Sequence, residues 1–204
     1  VNATSAGVDY QDRILACIDA RKGVITASHC REQGVPTVYL TRMVRDGRLT
    51  RLARGLYGVP DGEYDEFFIL QHRFKKTVFS YETALFLLGQ TDKIPDGIDI
   101  TVENSYKIIN PPRRLSINYV SPDIFRKGIT CVLTSYGNPV KIYGYERIVC
   151  DFIAHKKNID PETYVKTIQG YAKYRNKDIH LLWTIARAMR IENRVRDIME
   201  IVHE

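Results

Sequence analysis

The sequence predicts an α+β fold in two parts: a winged helix-turn-helix over residues 1–75, then an α+β domain of about four strands and a C-terminal helical group over residues 76–204. Three observations carry that expectation. Two short helical segments meet at a glycine-containing turn, with a basic hairpin directly behind them. The apolar period then changes to two over four segments, and from residue 145 it returns to helical spacing. The composition agrees: 44% apolar, 26% charged and 10% aromatic residues describe a folded globular chain, not a disordered, collagenous or mucin-like one. No stretch approaches the roughly 20 apolar residues that span a bilayer, so a cytoplasmic protein with no membrane partner is expected. The small, polar residues Val1 to Gly7 are left out of the fold reading.

From Asp9 to Lys22, Ile14, Leu15, Cys17 and Ile18 recur at helical spacing until Gly23 stops the run. Val24 and Ile25 form a short extended link, and Thr26 stands where an N-cap belongs, ahead of a helix over Ala27–Gln33. Gly34-Val35-Pro36 makes the turn, because Gly tolerates positive φ and Pro cannot continue a helix. Thr37 is expected to cap the next helix, which runs to about Asp46 before Gly47. At 100° per residue this helix turns Leu40, Met43 and Val44 to a core. Val38, Thr41, Arg42 and Arg45 fall on the opposite side, with Thr37 and Tyr39 at the flanks. Behind it, Leu49–Ala53 and Leu56–Val59 flank Arg54-Gly55 as a short hairpin, the wing.

Charge sits on the same segment. Residues 21–60 hold eight arginines and lysines (Arg21, Lys22, Arg31, Arg42, Arg45, Arg48, Arg51, Arg54) against Glu32 and Asp46. This window therefore carries the whole net charge of +6. Guanidinium forks suit phosphates and guanine edges, and threonine or valine can meet a thymine methyl. The expected partner is DNA. Thr41, Arg42, Arg45 and Tyr39 are the candidates for reading bases, Arg51 and Arg54 for wing contacts, and Thr26, Ser28, Arg31, Thr37 and Arg48 for the remaining contacts.

After Pro60 the acidic cluster Asp61, Glu63, Asp65 and Glu66 leads into a helix ending at Lys75-Lys76. Ser80 is placed to cap a helix over Tyr81–Leu88. Period-two alternation marks strands at Ile98–Val102, Leu115–Tyr119, Ile129–Thr134 and Val140–Tyr143, with Asn138-Pro139 as the turn between the last two. Helices are expected at about Tyr145–Lys156, Pro161–Lys173, Asp178–Met189 and in a last piece ending at Val202. The doublets Lys75-Lys76, Arg113-Arg114, Arg126-Lys127 and Lys156-Lys157 are candidates for further phosphate contacts or a solvated surface. Arg187, Arg190 and Arg194 share a face only if their helix is continuous.

No catalytic constellation stands out. The chain has no Gly-rich loop ending in Gly-Lys-Ser/Thr, no Gly-x-Ser-x-Gly and no His-Glu-x-x-His. It also has no acid two residues before a lysine, as a PD-(D/E)xK nuclease needs, and no Gly-Ser pair leading to paired aspartates. Asp96 reads as a turn former, and His155, one helical turn from Asp151, as half of a surface pair; His180 has no partner in reach. Cys17, Cys30, Cys131 and Cys150 lack zinc spacing and read as buried, reduced thiols, so neither metal nor cofactor is expected.

The run VITASHCREQGVPTVYLTRMVRDGRLTRLARGLYGVP resembles the N-terminal domain of AbiE-type abortive-infection antitoxins (AbiEi). Both VFSYETALFLLGQTDKIP and YERIVCDFIAHKKNIDPETY resemble that family's second domain. The resemblance implies an antitoxin that represses its own operon at inverted repeats. It also implies a nucleotidyltransferase toxin encoded beside it, neutralised without a stable complex in the arrangement called type IV. Two rival readings stay open: a ligand-sensing regulator with a small-molecule site in the second domain, and an enzyme with an unfamiliar acidic pocket.

Overall fold

A computed structural model describes residues 9–203. The chain divides into two compact units: the residues through Lys75 together with Leu133–Pro139, and Lys76–Val132 together with the residues from Val140 onward.

In the first unit, α1 (Tyr10–Ala20) is capped by Asp9, whose carboxylate accepts from the Gln11 N–H at 2.9 Å. The helix stops two residues short of the expected end, because Lys22 turns into positive φ (51°) ahead of Gly23. Then follow β1 (Val24–Thr26), α2 (Ala27–Glu32), α3 (Val38–Arg45), β2 (Thr50–Ala53) and β3 (Leu56–Gly58). The strands form an antiparallel sheet in the order β1-β3-β2. Gly58 pairs with both Val24 and Thr50; a Cβ there would stand 2.5 Å from the Tyr64 ring and 3.0 Å from the Gly23 carbonyl, so only glycine fits. Ile14, Ile18, Ile25, Cys30, Leu40, Met43 and Leu49 form the core under the helices. This is a winged helix.

The helix α4 (Glu66–Arg73) completes the unit and ends before the lysine doublet. Its cap, Asp65, is buried. One carboxylate oxygen accepts from the Phe68 N–H at 3.0 Å; the other accepts from the Thr134 hydroxyl at 2.5 Å and the Asn138 amide at 2.9 Å. Those bonds place the turn 133–139, which the sequence pattern marks only as a link between strands, within the first unit.

The second unit holds a five-stranded sheet built from β4 (Val78–Phe79), β5 (Ile98–Glu103), β6 (Leu115–Val120), β7 (Ile129–Leu133) and β8 (Pro139–Tyr143), in the order β6-β5-β4-β8-β7. Four of these are the expected strands. The fifth, β4, is two residues long, too short to show alternation, yet it lies antiparallel to β5 and parallel to β8 at the sheet's centre. α5 (Tyr81–Leu87) follows β4. Ser80 occupies its N-cap position but makes no side-chain cap bond, contrary to the sequence expectation. The Asp99 carboxyl from β5 takes the backbone N–H groups of Glu82 and Thr83 instead, and the Thr83 hydroxyl accepts from the Asp99 N–H at 2.8 Å. A neighbouring strand thus supplies the cap.

After a short α6 (Pro122–Phe125), the chain ends in α7 (Tyr145–Ala154), α8 (Pro161–Lys173), α9 (Ile179–Met189) and α10 (Glu192–His203), close to the expected helices. Arg190 terminates α9 in the left-handed region (φ 57°), so Arg187, Arg190 and Arg194 do not lie along one continuous helix. Every residue of α7 from Tyr145 to Ile153 is buried. At its centre, Arg147 donates through Nε to both oxygens of Asp151, at 3.0 and 3.1 Å, and through Nη1 to the carbonyls of Ile124 and Lys127, at 2.5 and 3.0 Å. Its guanidinium lies 4.0 Å over the Tyr143 ring. Gly128, at φ +77°, makes room: a Cβ there would be 2.7 Å from the Arg147 Cβ. Asp151 is therefore the buried partner of Arg147, not half of a surface pair with His155, whose ring meets the Asp151 carbonyl and the Tyr81 hydroxyl. Cys30 and Cys150 are buried, and burial pushes both thiols upward. Cys17 is half-buried, and Cys131 is exposed on β7, against the expectation of buried thiols throughout.

Candidate nucleic-acid interface

The helix-turn-helix rests on local signals. The Thr26 hydroxyl oxygen caps α2 by accepting from the His29 N–H at 3.1 Å, which leaves its own proton free to donate. Gly34 takes φ +66°, and Val35 turns inward to be buried. Thr37, expected to cap α3, makes no side-chain cap bond. Its backbone is already helical (φ −66°, ψ −13°), and a capping oxygen needs an extended residue to reach back.

The faces of α3 separate as their spacing predicts. Leu40 and Met43 are fully buried and Val44 partly so; Val38 (49%), Thr41, Arg42 and Arg45 are exposed. Arg42 has no carboxylate partner among the described residues. Its guanidinium lies 5.3 Å over the Tyr39 ring, which packs on the Tyr10 ring at 5.1 Å, and Arg13 lies 5.9 Å from Tyr10 on the other side. Two cations thus flank two rings, and each cation–π contact contributes about 0.5–1 kcal/mol at an exposed site. Tyr39 accordingly supports Arg42 and packs on the core rather than standing free. Arg13 is a member that sequence reasoning missed; it lies outside the basic window, and no spacing signal joins α1 to α3. It also ties α1 to the end of α2, donating to the Gln33 carbonyl at 2.8 Å.

The remaining expected residues differ in freedom. Arg45 reaches Asp46 at 3.1 Å, Arg31 donates to the Ser28 hydroxyl at 3.2 Å, and Arg48 donates to the Gln11 side chain. Arg51 and Arg54 are exposed on the wing, and their side chains have no hydrogen bond or ion pair among the described residues. Chemically, this surface offers forked cations, a hydroxyl and a methyl-bearing side chain on one helix, with two free cations on the adjoining hairpin. That set matches groove edges and phosphates.

The basic doublets of the rest of the chain are exposed, apart from the half-buried Lys127, but not equally free. Arg114 donates to the Asp96 carbonyl at 2.7 Å, whereas Arg113 and Lys75 make no such bond. Lys76 lies 5.9 Å from the Tyr106 ring, and Lys156 4.9 Å from that of Tyr164. Two acidic groups of the second unit have clear structural partners. Asp99 caps α5, and Glu82 pairs with Lys93 at 3.3 Å. Among the described residues, no helix is long and apolar enough to cross a membrane.

Residues 12–60 match a family model described as transcriptional regulator, AbiEi antitoxin; the match spans the helix-turn-helix and the wing. No curated protein matches the sequence. Among solved structures, the chain is similar to the crystal structure of the RV2827C protein from Mycobacterium tuberculosis, with a TM-score of 0.60 and 15% identity. The likeness covers 94% of this chain and 76% of that one, and at such identity it speaks for the fold alone.

Proposed function

We propose that this AbiEi-type antitoxin regulator represses its own operon by seating α3 in the major groove of inverted repeats upstream of its gene. The observation that carries this reading is the open face of α3: Thr41, Arg42 and Arg45 exposed beside Val38, over a buried Leu40 and Met43. Arg42 and Arg45 read base edges, with Thr41 beside them and Tyr39 as the support for Arg42. Arg51 and Arg54 hold the flanking backbone or minor groove through the wing. Thr26, Ser28, Arg31, Thr37 and Arg48 position the helix on phosphates.

As the antitoxin of a type IV pair, the chain counters a nucleotidyltransferase-type toxin encoded beside it, without a lasting complex and without a catalytic step of its own. Footprinting on the DNA upstream of its gene, repeated across salt concentrations, tests the DNA reading. Roughly five or more phosphate contacts give a log–log salt slope steeper than about −4, whereas a slope near zero makes the basic window a solvated face. Rescue of toxin-arrested cells, paired with a pull-down, tests the second part. A tight stoichiometric complex would identify a direct-binding antitoxin instead.

A further inference from the structure

The second unit contains a cavity of about 520 Å³ where the end of α7 and the single turn Lys156–Asn158 meet α8 and α10. Its walls are apolar, formed by Ile153, Ala154, Ile198 and the ring of Tyr164. Its rim carries Lys156, Lys157 and Arg194 against one carboxylate, Asp197. Neither lysine has a carboxylate within 4.0 Å among the described residues. A larger cavity of about 570 Å³, beside the start of α8, offers a contrast: there Lys93 is paired to Glu82 at 3.3 Å and Lys166 to Glu162 at 2.6 Å. At the first site no rim cation is paired with a carboxylate among the described residues, Lys156 lying 4.9 Å from the Tyr164 ring; at the second both lysines are paired.

A helix C-terminus repels anions, and α7 ends at this cavity. Arg194 offsets that. Its Nη1 donates to the carbonyls of Ile153 and Ala154, at 3.4 and 3.3 Å, quenching the helix end while adding a third cation to the rim. The volume is that of a small-ligand site, and the mixture is specific. Clustered cations call for a phosphate, an apolar wall calls for a flat body, and the Asn158 side chain supplies both a donor and an acceptor for a heterocycle's edge.

We propose that this cavity binds a nucleoside phosphate, with Lys156 and Lys157 on the phosphates and the base against Tyr164, Ile153 and Ile198. The site lies wholly within the second unit and is independent of the winged-helix surface, so either can fail alone. It turns the lysine doublet from a contact for DNA backbone into a ligand grip, and it gives the second unit a means of sensing free nucleotide.

Calorimetric titration of the full chain with ATP, GTP, CTP and UTP tests the proposal, with adenosine, tripolyphosphate and a short single-stranded oligonucleotide as comparisons. Saturable binding of at least one nucleotide is expected. It should weaken at least tenfold in the double variant Lys156→Glu, Lys157→Glu and stay unchanged in Arg42→Ala. Both lysines are exposed, so the variant should fold; its melting curve checks this, and the double alanine variant replaces it if it does not. The proposal is overturned if no nucleotide binds, if tripolyphosphate binds as tightly as the nucleotides, if only the oligonucleotide binds, or if Arg42→Ala abolishes binding while the lysine variants do not.

Discussion

Arg42 and Arg147 are the same side chain in opposite surroundings. Arg42 stands exposed on α3, steadied by a ring and lacking a carboxylate partner, in a unit whose arginines almost all face water. Arg147 is 1% exposed in the second unit, and its guanidinium is engaged by a carboxylate, two carbonyls and the Tyr143 ring. An exposed guanidinium contributes little to folding and remains available for a ligand. A buried one is committed to the fold, because removing any partner strands a desolvated charge. The first unit therefore keeps its guanidinium groups in solvent, where a ligand can reach them, whereas the second commits Arg147 to holding α6 and the following loop to α7.

The comparison is broken hardest at Arg147. Replacing it by Ala should lower unfolding stability by about 3–5 kcal/mol, because Asp151 is left buried and alone. The paired replacement Arg147→Met, Asp151→Leu should recover most of that loss in chemical denaturation. If the pair is as unstable as the single variant, the arrangement supplies more than mutual compensation of two charges.

Next in size is Asp65, the one place among the described residues where the first unit also relies on a buried charged group. Asp65→Ala removes a helix cap and leaves the Thr134 hydroxyl and Asn138 amide without their acceptor, at about 2–3 kcal/mol. A fragment ending at Lys75 lacks the same two partners. It should still fold and bind DNA, but melt below the corresponding residues in the whole chain; equal melting would show that turn 133–139 adds no stability.

Arg42→Ala should do the reverse of Arg147→Ala. It should weaken operator binding by about 1–3 kcal/mol, weaken random DNA less, and leave the melting temperature where it was. Equal losses on both DNAs would make Arg42 a phosphate clamp. Tyr164→Phe should have the smallest effect. The Tyr164 hydroxyl is buried with no hydrogen-bond partner among the described residues, so its removal should be neutral or stabilising by up to about 1 kcal/mol. A clear destabilisation by thermal melting would show that the hydroxyl has a partner in solution.

Much of the first unit was legible in residue order, because its signals are local. Thr26 caps within three residues, Gly34 takes the positive φ its turn needs, and the two faces of α3 follow from helical spacing alone. The same holds for α9 and α10, whose apolar stripes repeat every turn. Local reasoning failed where distant residues supply what a near one was expected to supply. Asp99 caps α5 in place of Ser80, Thr134 reaches back 69 residues to Asp65, and Tyr10 from another helix props Tyr39 under Arg42.

By itself, the sequence determined which face of α3 is polar, where the net charge gathers, and which segments are helical. Those properties depend on side chains within one turn of each other. Only the tertiary structure decided that β4 joins the sheet, that Arg147 and Asp151 are buried together, and that Lys156, Lys157 and Arg194 rim one cavity. Each of these depends on backbone groups and charges from separate elements satisfying one another once water is excluded, and no periodicity along the chain encodes which elements will meet.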